Sequence, residues 1–585
     1  MNRKSPALGG FSRLSPSPPA RRSYLASMDN AAIAEQLKLL STLLDIHGAD
    51  PFSVKSYGAA AFAIDKLPYP LSQTPRQKLL TIRGIGKTVA GAIEELLDTQ
   101  KLSLLEEQLR QTPPGVLEML QLKGLGPKKI HAIWKEMGIE SVGELLYACQ
   151  ENRLVAYKGF GAKTQQSLIE SIQFFLQHQG QLLYAEAEAI YPSVENYLKQ
   201  QLGPANVAVT GAFRRQSLTL EEMEFVVTAT IDTIKPIFNT AHPPALLEET
   251  SQTLLYELKN GLRLKLFSTG QPLQQALFWT TGSEEFLQAF QGLANYSEAK
   301  LAAATTELAI FEAMGLSFIE PCRREGADVL ERAAKAALSE PIQSSSIRGL
   351  IHAHSVWSDG SNSLEEMAQA CINKGWEYMV ISDHSASATY ANGLTAQRVA
   401  AQQQEIAQLN QKLAPFTIYS SIESDILGDG SLDYSQEVLA SFDLIIASVH
   451  SQLGMNEEKA NTRLIKAIEH PLTRILGHPT GRLLLSRKGY PIDHQKIIDA
   501  CAANQVVLEI NAHPRRLDLD WKWINKALDK GVLLSINPDA HAIQGLEDVR
   551  YGVLAAQKSQ LTAAQNLSSF SRTQFDHWLH SKKRQ

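Results

Sequence analysis

The chain contains 585 residues, of which 44% are hydrophobic and 20% charged, and its formal net charge is −5 at pH 7. We predict about three or four domains, because one hydrophobic core does not organise a chain of this length. No apolar run approaches the length that spans a bilayer, so we expect neither an integral membrane protein nor a membrane partner. The negative net charge argues against nucleic-acid binding by the whole surface, although a locally basic domain could still bind DNA.

The four cysteines lie far apart, without a CxxC pair, at Cys149, Cys322, Cys371 and Cys501. This spacing excludes a cysteine-type zinc ribbon and is typical of a reducing, cytosolic compartment. Residues 1–27 are rich in Pro, Ser and Arg, contain no acidic residue and lack a continuous apolar core, which predicts a disordered tail. A transit peptide, or a mis-assigned extension upstream of a true start at Met28, is the alternative.

From about residue 29 to 180, apolar residues recur at three- and four-residue spacing, which predicts a helical region. Three breaks share one form, an apolar residue followed by Gly-x-Gly and a helix start, and read "IRGIGKTVAGAI", "LKGLGPKKIHAI" and "YKGFGAKTQQSL". One such turn is usually a connector, but three favour helix-hairpin-helix motifs, whose backbone N–H groups bind a DNA phosphate. The predicted contact residues are Gly84, Gly86, Lys87, Gly124, Gly126, Lys128, Lys129, Gly159, Gly161 and Lys163.

Residues 183 to about 320 mix β-like runs, such as "MEFVVTAT" and "LRLKLFS", with helical segments. From about residue 347, seven short apolar runs that end in His, Asp or Glu alternate with amphipathic helical segments. The runs recur roughly every 30 residues, which is the length of one strand-helix unit. Seven such units in series predict a parallel barrel or a closely related layered fold.

The first of these runs, "GLIHAHSVWSDG", places two histidines two residues apart and an aspartate after them. On a strand, both imidazoles would share one face and converge, although two surface histidines in a loop are an equal alternative from this run alone. In a βα barrel the active site lies at the carboxyl ends of the strands, so we expect a metal cluster there. The candidate ligands are His352, His354, Asp359, His384, Glu423, His450, His478, Asp539 and His541.

Burying so many polar side chains without a partner would be costly, and imidazoles with carboxylates but no thiolate suit Zn²⁺, Mn²⁺ or Fe²⁺. Nine ligands are too many for one ion, so we predict two or three divalent metal ions. Clustered metals activate water and polarise a phosphoryl group, which favours phosphate ester hydrolysis without a protein nucleophile. Amide or amine hydrolysis in an amidohydrolase-type barrel is the alternative, but no strand end offers the lysine that it usually requires.

The segments "HAHSVWSDG", "ISDHS", "IESDILGDGSLD", "ASVHS", "GHPTGRLL", "EINAHPRRLDL" and "INPDAH" resemble the polymerase and histidinol phosphatase (PHP) family. The resemblance implies that the nine candidate ligands form a trinuclear centre in a distorted (β/α)7 barrel. It also implies phosphate contacts by Arg482 and Arg516, for which a salt bridge to Asp359 or Asp425 is the alternative. Leu350 departs from the family pattern, which commonly has an acidic residue there, but it lies outside the ligand set.

The order of domains along this chain resembles that of bacterial family X DNA polymerases, in which helix-hairpin-helix motifs are followed by a mixed domain and then by a PHP domain. The segments "PFSVKSYGAAAFAIDKLP", "GAFRR" and "TTGSEEFLQAF" extend this resemblance over nearly the whole chain from about residue 29. It implies an all-α DNA-binding domain at 28–110, a fingers-like helical domain at 111–182 and an α+β nucleotidyltransferase-like palm and thumb at 183–325. A linker at 326–346 and the PHP domain at 347–575 follow. It also implies a place in the bacterial cytosol or nucleoid.

The palm departs from that family at its metal-binding aspartates. The family has two aspartates separated by one residue where this chain has Glu222 and Glu224, and Lys265 stands at the third aspartate. A longer carboxylate misplaces a metal and a lysine repels it, so the resemblance does not support a productive Mg²⁺ site at the palm. We therefore predict a degenerate polymerase site that keeps DNA contacts through Arg214 and Arg215. An alignment that is wrong by a few residues is the alternative.

Two further departures concern single residues. Ala212 replaces the usual serine of the "GAFRR" segment, which agrees with a degenerate palm. Ala92 stands where such polymerases can carry the lysine that forms a Schiff base with an abasic sugar. Lyase activity by that route is not expected, although Lys87 lies nearby in the sequence.

Together these features predict a DNA-binding, metal-dependent phosphodiesterase in DNA repair, acting as a monomer on gapped, nicked or damaged duplex. The predicted reaction is 3′ to 5′ exonucleolytic trimming or incision at abasic sites, with polymerase activity weak or lost. Three alternatives stay open: an active family X polymerase that uses the two glutamates, a small-molecule phosphatase of histidinol phosphatase type, and a noncatalytic DNA-binding scaffold. The hairpin motifs count against the phosphatase, and the filled ligand positions count against the scaffold.

Overall fold

The structure is a computed structural model that describes residues 28–581, except 151, 152, 156, 158, 178, 179, 241, 242, 259–261 and 271. The tail predicted at 1–27 lies outside the described residues. The chain divides into two compact units, residues 1–172 and 173–585. The finer domain bounds given above stay predictions.

The described part of the first unit is helical. Its helices are α1 (Asn30–Ile46), α2 (Pro51–Asp65), α3 (Lys87–Thr99), α4 (Ser103–Gln111), α5 (Pro114–Met119), α6 (Pro127–His131), α7 (Val142–Gln150) and α8 (Ala162–Gln177), the last of which continues past residue 172. The Asp29 carboxylate begins α1 by accepting a hydrogen bond from the backbone N–H of Ala32 at 2.8 Å. Pro51 fits the first turn of α2, where no backbone N–H is needed. Leucines and alanines of these two helices fill their common core.

The second unit begins with a small antiparallel pair and a five-stranded mixed sheet. Its elements are β1 (Leu182–Leu183), α9 (Tyr184–Leu202), β2 (Val207–Val209), α10 (Gly211–Arg214), β3 (Thr219–Leu220), β4 (Glu222–Val227), α11 (Ile231–Ile234), β5 (Ala245–Glu249), β6 (Thr253–Glu257) and β7 (Arg263–Ser268). The sheet order is β2-β4-β7-β6-β5, with β4 and β7 parallel and the other neighbours antiparallel. Met223 and Phe225 are fully buried on one face of β4, so the glutamates beside them face the other way.

A helical segment follows this sheet, consisting of α12 (Leu273–Thr281), α13 (Glu284–Gln291), α14 (Glu298–Ala302), α15 (Glu307–Ala313) and α16 (Asp328–Ala334). Its core is aromatic, because Phe278, Phe290 and Phe311 are fully buried and pack edge to face. The buried Arg324 guanidinium lies 5.0 Å from the centre of the Phe311 ring and pairs with the Glu307 carboxylate. This pairing removes the cost of an isolated buried charge.

The rest of the second unit is a seven-stranded parallel sheet with its helices. The elements are β8 (Gly349–Leu350), α17 (Leu364–Asn373), β9 (Tyr378–Ile381), α18 (Ala396–Lys412), β10 (Thr417–Asp425), α19 (Gln436–Leu439), β11 (Leu444–Ser448), α20 (Glu457–Ile468), β12 (Thr473–Leu476), α21 (His494–Asn504), β13 (Val507–Asn511), α22 (Ile524–Asp529), β14 (Leu534–Asn537), α23 (Val549–Gln557) and α24 (Arg572–Ser581). The strands lie side by side in chain order. Ala353, after β8, forms a parallel bridge with Ala540, after β14, so the sheet is nearly closed into a barrel.

The predicted fold class is confirmed. A helical region, an α+β palm and a distorted (β/α)7 barrel follow one another in the predicted order. One local expectation is wrong: β8 ends at Leu350, so His352 and His354 lie beyond the strand and not on it. None of the helices that the structure describes is both long and apolar enough to cross a membrane.

Candidate metal centre

The two histidines of the first barrel loop converge although the strand ends before them. His352 has a positive φ of 64°, a conformation that a non-glycine residue rarely adopts. The backbone N–H of His354 donates to the carbonyl of Ala540 at 2.8 Å, which ties this loop to the end of β14. The centres of the two imidazole rings are 5.4 Å apart. A bent backbone, and not strand alternation, therefore brings the rings together.

Glu423, near the end of β10, lies in the middle of five imidazoles. Its Oε1 is 3.0 Å from His478 Nε2, 3.1 Å from His450 Nε2 and 3.2 Å from His352 Nε2. Its Oε2 is 3.0 Å from His384 Nδ1 and 3.7 Å from His354 Nε2. The Glu423 side chain is 1% exposed, so these contacts are made away from water.

Two aspartates extend the cluster, and one of them, Asp359, is partly exposed. Asp539 Oδ1 lies 3.0 Å from His354 Nε2, and the Asp359 carboxylate lies 3.7 Å from His384 Nε2 and 3.5 Å from His541 Nε2. The side chains of Asp359 and His541 are 31% and 41% exposed, whereas those of His352 and His354 are fully buried. The cluster is therefore reached from the side of Asp359 and His541.

The structure brings eight of the nine predicted ligands into three overlapping groups, in each of which the potential ligand atoms lie within 4.8 Å of one another. His478 lies outside these groups but contacts Glu423. The groups are His354, Asp359, His384 and His541; His352, His354 and Asp539; and His384, Glu423 and His450. Three groups of three or four ligands suit two or three ions better than one.

The protonation equilibria of the cluster are strongly coupled. Burial lowers the pKa of His450, but the carboxylates of Glu423 and Asp425 outweigh it and raise that pKa to about 10. Burial and the neighbouring imidazoles of His541 and His384 lower the pKa of His354 to about 3. Burial favours the neutral form of Glu423, yet the surrounding imidazoles hold its pKa well below the ordinary value. Protons and metal ions would thus compete for the imidazole nitrogens.

The side chains fit a divalent metal centre. The buried ring nitrogens His354 Nδ1 and His478 Nδ1 have no hydrogen-bond partner among the residues that the structure describes, and a buried polar atom of this kind is costly unless something binds it. Imidazole and carboxylate donors without thiolate suit Zn²⁺, Mn²⁺ or Fe²⁺. When bound, such ions supply an activated water and neutralise charge on a phosphoryl group.

Sequence reasoning missed Glu509 of β13 as a residue of the site. Its carboxylate is fully buried and accepts hydrogen bonds from His352 Nδ1 at 2.6 Å, from the backbone N–H of His478 at 2.7 Å and from Asn537 Nδ2 at 2.8 Å. Glu509 therefore fixes the ring of His352 with its other nitrogen, Nε2, facing the carboxylates. The available signal was a glutamate inside the apolar run "VVLEIN".

Asp383 was also missed, although it directly precedes His384. This fully buried carboxylate accepts hydrogen bonds from the backbone N–H and the hydroxyl of both Ser355 and Ser358, and from Gln402 Nε2 at 2.6 Å. Asp383 thereby holds the loop between His354 and Asp359. It does not belong to any of the three groups of potential ligands.

The two predicted phosphate-binding arginines are placed differently. Arg516 Nε lies 3.6 Å from Asp539 Oδ2, beside the cluster. Arg482 pairs with Asp520 and donates to the backbone carbonyl of Arg516 at 2.9 Å. Arg482 therefore supports the loop that carries Arg516, and its carboxylate partner is neither Asp359 nor Asp425.

The palm residues lie together on two neighbouring strands. Glu224 of β4 is opposite Lys265 of β7, and Lys265 Nζ lies 3.2 Å from Glu222 Oε2. The Glu224 carboxylate accepts a hydrogen bond from the backbone N–H of Ala212 at 2.8 Å. A β-carbon built on Gly211 would lie only 1.7 Å from Glu224 Oε2, so this side chain covers the turn at Gly211. Burial raises the pKa of Glu224 above the ordinary value.

The two arginines predicted to contact DNA from the palm have partners within the protein. Arg214 donates to the Glu307 carboxylate and, at 2.7 Å, to the hydroxyl of Thr281. Arg215 donates to the Thr281 carbonyl at 2.7 Å and lies 3.3 Å from Glu325. Both guanidinium groups thus hold α10 against the helical segment that follows the sheet.

The three glycine turns of the helical region share one backbone conformation. Gly84, Gly124 and Gly159 have positive φ values of 94°, 90° and 97°, which favour glycine. The second glycine of each turn directly precedes a helix: these glycines are Gly86 before α3, Gly126 before α6 and Gly161 before α8. The shared conformation of the three turns is what a repeated turn that binds the DNA phosphate backbone requires.

Lysines follow each of these turns in the first helical residues. Lys87, Lys128 and Lys163 are exposed, and Lys129 donates from Nζ to the Gly124 carbonyl at 3.2 Å. An exposed cation beside backbone N–H groups is suited to a phosphate. Ala92, where the resemblance implies that a lyase lysine can stand, is buried within α3.

Comparison with known proteins supports both the helical region and the architecture of the whole chain. A helix-hairpin-helix domain model matches residues 28–102, and a model of the SAM-like helix-hairpin-helix tandem matches residues 116–173. The chain is 31% identical over 561 residues to the DNA polymerase/3′-5′ exonuclease PolX of Bacillus subtilis (strain 168), which covers 91% of this chain and 96% of that protein.

Two shorter matches are to proteins named as probable phosphatases. One, from Caldanaerobacter subterraneus subsp. tengcongensis, is 26% identical over 224 residues, or 34% of this chain and 82% of that protein. The other, YcdX of Escherichia coli O81 (strain ED1a), is 37% identical over 97 residues, or 16% of this chain and 37% of that protein.

The barrel, its mouth of imidazoles and carboxylates, and the helical hairpins define a multidomain protein with a PHP-type phosphoesterase fold. The chain belongs to the bacterial family X DNA polymerases with a carboxy-terminal PHP domain, the PolX family. The family resemblance seen in the sequence is thereby confirmed.

Proposed function

We propose that the chain is a divalent-metal-dependent phosphodiesterase that acts on DNA in repair, by 3′ to 5′ exonucleolytic trimming, incision at abasic sites, or both. The observation that carries the proposal is the set of three overlapping groups of imidazoles and carboxylates at the barrel mouth. The name of the Bacillus subtilis relative includes a 3′-5′ exonuclease, which agrees with this assignment. The names of the probable phosphatases agree with phosphate ester chemistry in general.

In this proposal the nine clustered residues hold two or three divalent ions, Mn²⁺ or Zn²⁺ or Fe²⁺. Glu423 is the carboxylate common to five imidazoles, and the buried Asp539 and the partly exposed Asp359 add two further negative charges. Arg516, beside Asp539, contacts a non-bridging phosphate oxygen, while Arg482 keeps the Arg516 backbone in place. Metal-binding residues are His352, His354, Asp359, His384, Glu423, His450, His478, Asp539 and His541.

The helical unit supplies the grip on DNA. Each Gly-x-Gly turn offers backbone N–H groups at a helix start to one phosphate, with a lysine beside it. Phosphate contacts of this kind do not depend on the base sequence of the DNA and suit a protein that acts on gapped, nicked or damaged duplex. A small phosphate monoester would give the three turns no role.

We further propose that nucleotidyl transfer at the palm is weak or lost. Lys265 occupies the space beside Glu222, and the backbone N–H of Ala212 already satisfies Glu224. A metal ion at this place would have to displace a cation and break a hydrogen bond before it could be bound.

One gel experiment tests these proposals. DNA with a recessed end and a 5′ label is incubated with Mn²⁺, with and without the four dNTPs, and wild type is compared with the His352→Ala/His354→Ala variant. Shortening of the labelled strand that the variant loses supports the nuclease. The matched control is His470→Ala/His577→Ala, which removes two histidines of the barrel region that lie outside the cluster.

Other outcomes distinguish the alternatives. Lengthening of the strand in the presence of dNTPs would show that the palm is active. Absence of shortening, together with release of phosphate from p-nitrophenyl phosphate, would favour a small-molecule phosphatase, the second candidate that the matches to probable phosphatases support.

A further inference from the structure

One apolar side chain stands out at the barrel mouth. Among the side chains that the structure describes from residue 347 to 581, Val356 is the single large apolar one that is exposed, at 54%. It lies two residues after His354 and three before Asp359, on the loop that carries both of these candidate ligands. An exposed valine is ordinary on a surface, but one placed between two candidate metal ligands calls for a physical explanation.

The loop that carries Val356 is held rigidly. Asp383 fixes the residues on either side of it, Ser355 and Ser358, and the backbone N–H of Val356 itself donates to the Asn362 carbonyl at 2.9 Å. A β-carbon on Gly360 would lie 2.5 Å from the carbonyl of His354, so the turn closes tightly on itself. The apolar side chain is thus presented in one fixed position.

The neighbouring aromatic residue is not free to take this role. Trp357 donates from Nε1 to Glu405 at 2.9 Å, and the Arg398 guanidinium lies 5.8 Å from the centre of its ring and donates to its carbonyl. Trp357 is therefore half-buried and held on the α18 side of the loop. Val356 is left as the exposed apolar side chain of this loop, which is tied to the partly exposed His541 because the Ser361 N–H donates to the His541 carbonyl at 2.7 Å.

We propose that Val356 is a specificity-determining residue that packs against the base or deoxyribose of the nucleotide whose phosphodiester is cleaved. This inference rests on the proposed phosphodiesterase function. A polar cluster binds any phosphate, so it does not distinguish a nucleotide from a smaller ester. A fixed apolar side chain adds that distinction, because it gains from burial only when a nucleoside covers it.

The test uses two diesters with the same leaving group. Thymidine 5′-(p-nitrophenyl phosphate) carries a nucleoside, methyl p-nitrophenyl phosphate carries a methyl group, and both release p-nitrophenol. We expect wild type with Mn²⁺ to prefer the thymidine ester, and Val356→Ala to reduce the ratio of the two kcat/KM values about 5- to 10-fold. Val356→Ile keeps the apolar contact and should keep the preference.

The matched control is Val438→Ala, the same change on α19, which should leave the ratio of the two kcat/KM values as in wild type. An equal loss with both esters in Val356→Ala would overturn the proposal, since Val356 would then act through the metal-binding loop. An undiminished preference for the thymidine ester would also overturn it. If wild type hydrolyses neither ester nor DNA, the phosphodiesterase function itself falls, and this proposal falls with it.

Discussion

The barrel mouth and the palm both bring carboxylates together, and they differ in what satisfies those carboxylates. In the palm, Lys265 lies 3.2 Å from Glu222, and a backbone N–H donates to Glu224 at 2.8 Å. In the barrel, five imidazoles surround Glu423, and buried ring nitrogens of His354 and His478 have no hydrogen-bond partner among the described residues. A metal site is therefore better identified by buried donor atoms that the protein leaves unsatisfied than by the number of its acidic residues.

The largest effect should come from removing the carboxylate shared by the imidazoles. We expect Glu423→Gln to lower the rate of Mn²⁺-dependent DNA cleavage more than about a hundredfold, because a neutral amide neither balances the ionic charge nor binds the metals as tightly. The measurement is the initial rate of strand shortening on labelled DNA. Glu437→Gln, at an exposed position of α19, is the control. If the Glu423 variant kept most of the activity, the cluster at the barrel mouth would not be the site of DNA cleavage.

A smaller effect should follow from the carboxylate behind the cluster. Glu509→Gln keeps the shape of the side chain but weakens the hydrogen bond that orients His352, so we expect the affinity for Mn²⁺ or Zn²⁺ to fall about 10- to 100-fold. Isothermal titration of the metal-free protein measures this affinity. The exposed Glu458→Gln of α20 should bind metal as wild type does. Equal affinities in all three proteins would show that Glu509 serves only the packing of the barrel.

The contribution of the palm glutamate Glu224 to the free energy of unfolding should depend on pH and not on metal ions. Burial raises the pKa of Glu224, so the folded state binds its proton more tightly than the unfolded state does. Wild type therefore loses this contribution to stability as pH rises from the ordinary glutamate pKa to the raised one. We expect Glu224→Gln, which has no proton to lose, to gain on the order of 1 kcal/mol relative to wild type between about pH 4 and about pH 8.

Urea unfolding at the two pH values measures this difference. The exposed Glu248→Gln of β5 should show no comparable change. A Glu224→Gln variant whose relative stability falls with rising pH would mean that the ionised carboxylate is favoured in the folded palm, as expected of a site prepared for a cation.

Substitution of the two palm glutamates should have no effect on the number of bound metal ions. The Glu222→Gln/Glu224→Gln variant should hold as many Mn²⁺ or Zn²⁺ ions per chain as wild type, since the palm carboxylates have protein partners. The His352→Ala/His354→Ala variant should lose at least one ion. Elemental analysis after dialysis gives the number of ions bound by each variant. Loss of an ion from the palm variant would show that the palm binds metal as well as the barrel.

Local sequence features predicted much of this architecture. Gly84, Gly124 and Gly159 could be identified because the same Gly-x-Gly turn is repeated three times and glycine readily adopts the positive φ values that such a turn requires, and the observed φ values agree. The barrel could be identified from seven similar units, and the candidate ligands from their place at the ends of those units.

Residues that act across strands could not be identified in this way. Glu509 contacts His352, which is distant in the sequence, and nothing around either residue indicates that their strands face each other inside the barrel. The positive φ of His352 was also unpredictable, because it follows from the tie between the first loop and the end of the last strand. The same holds for Arg482, whose partner Asp520 is set by the path of a loop.

The way Glu224 covers the turn at Gly211 has a consequence for which substitutions this position tolerates. Its carboxylate fills space that a shorter side chain would vacate and satisfies a backbone N–H that a shorter side chain would leave exposed. Substitution of Glu224 by aspartate would therefore carry a penalty by itself, and the cation of Lys265 would still lie beside Glu222. The effects of substitutions at these neighbouring positions are thus expected to be non-additive.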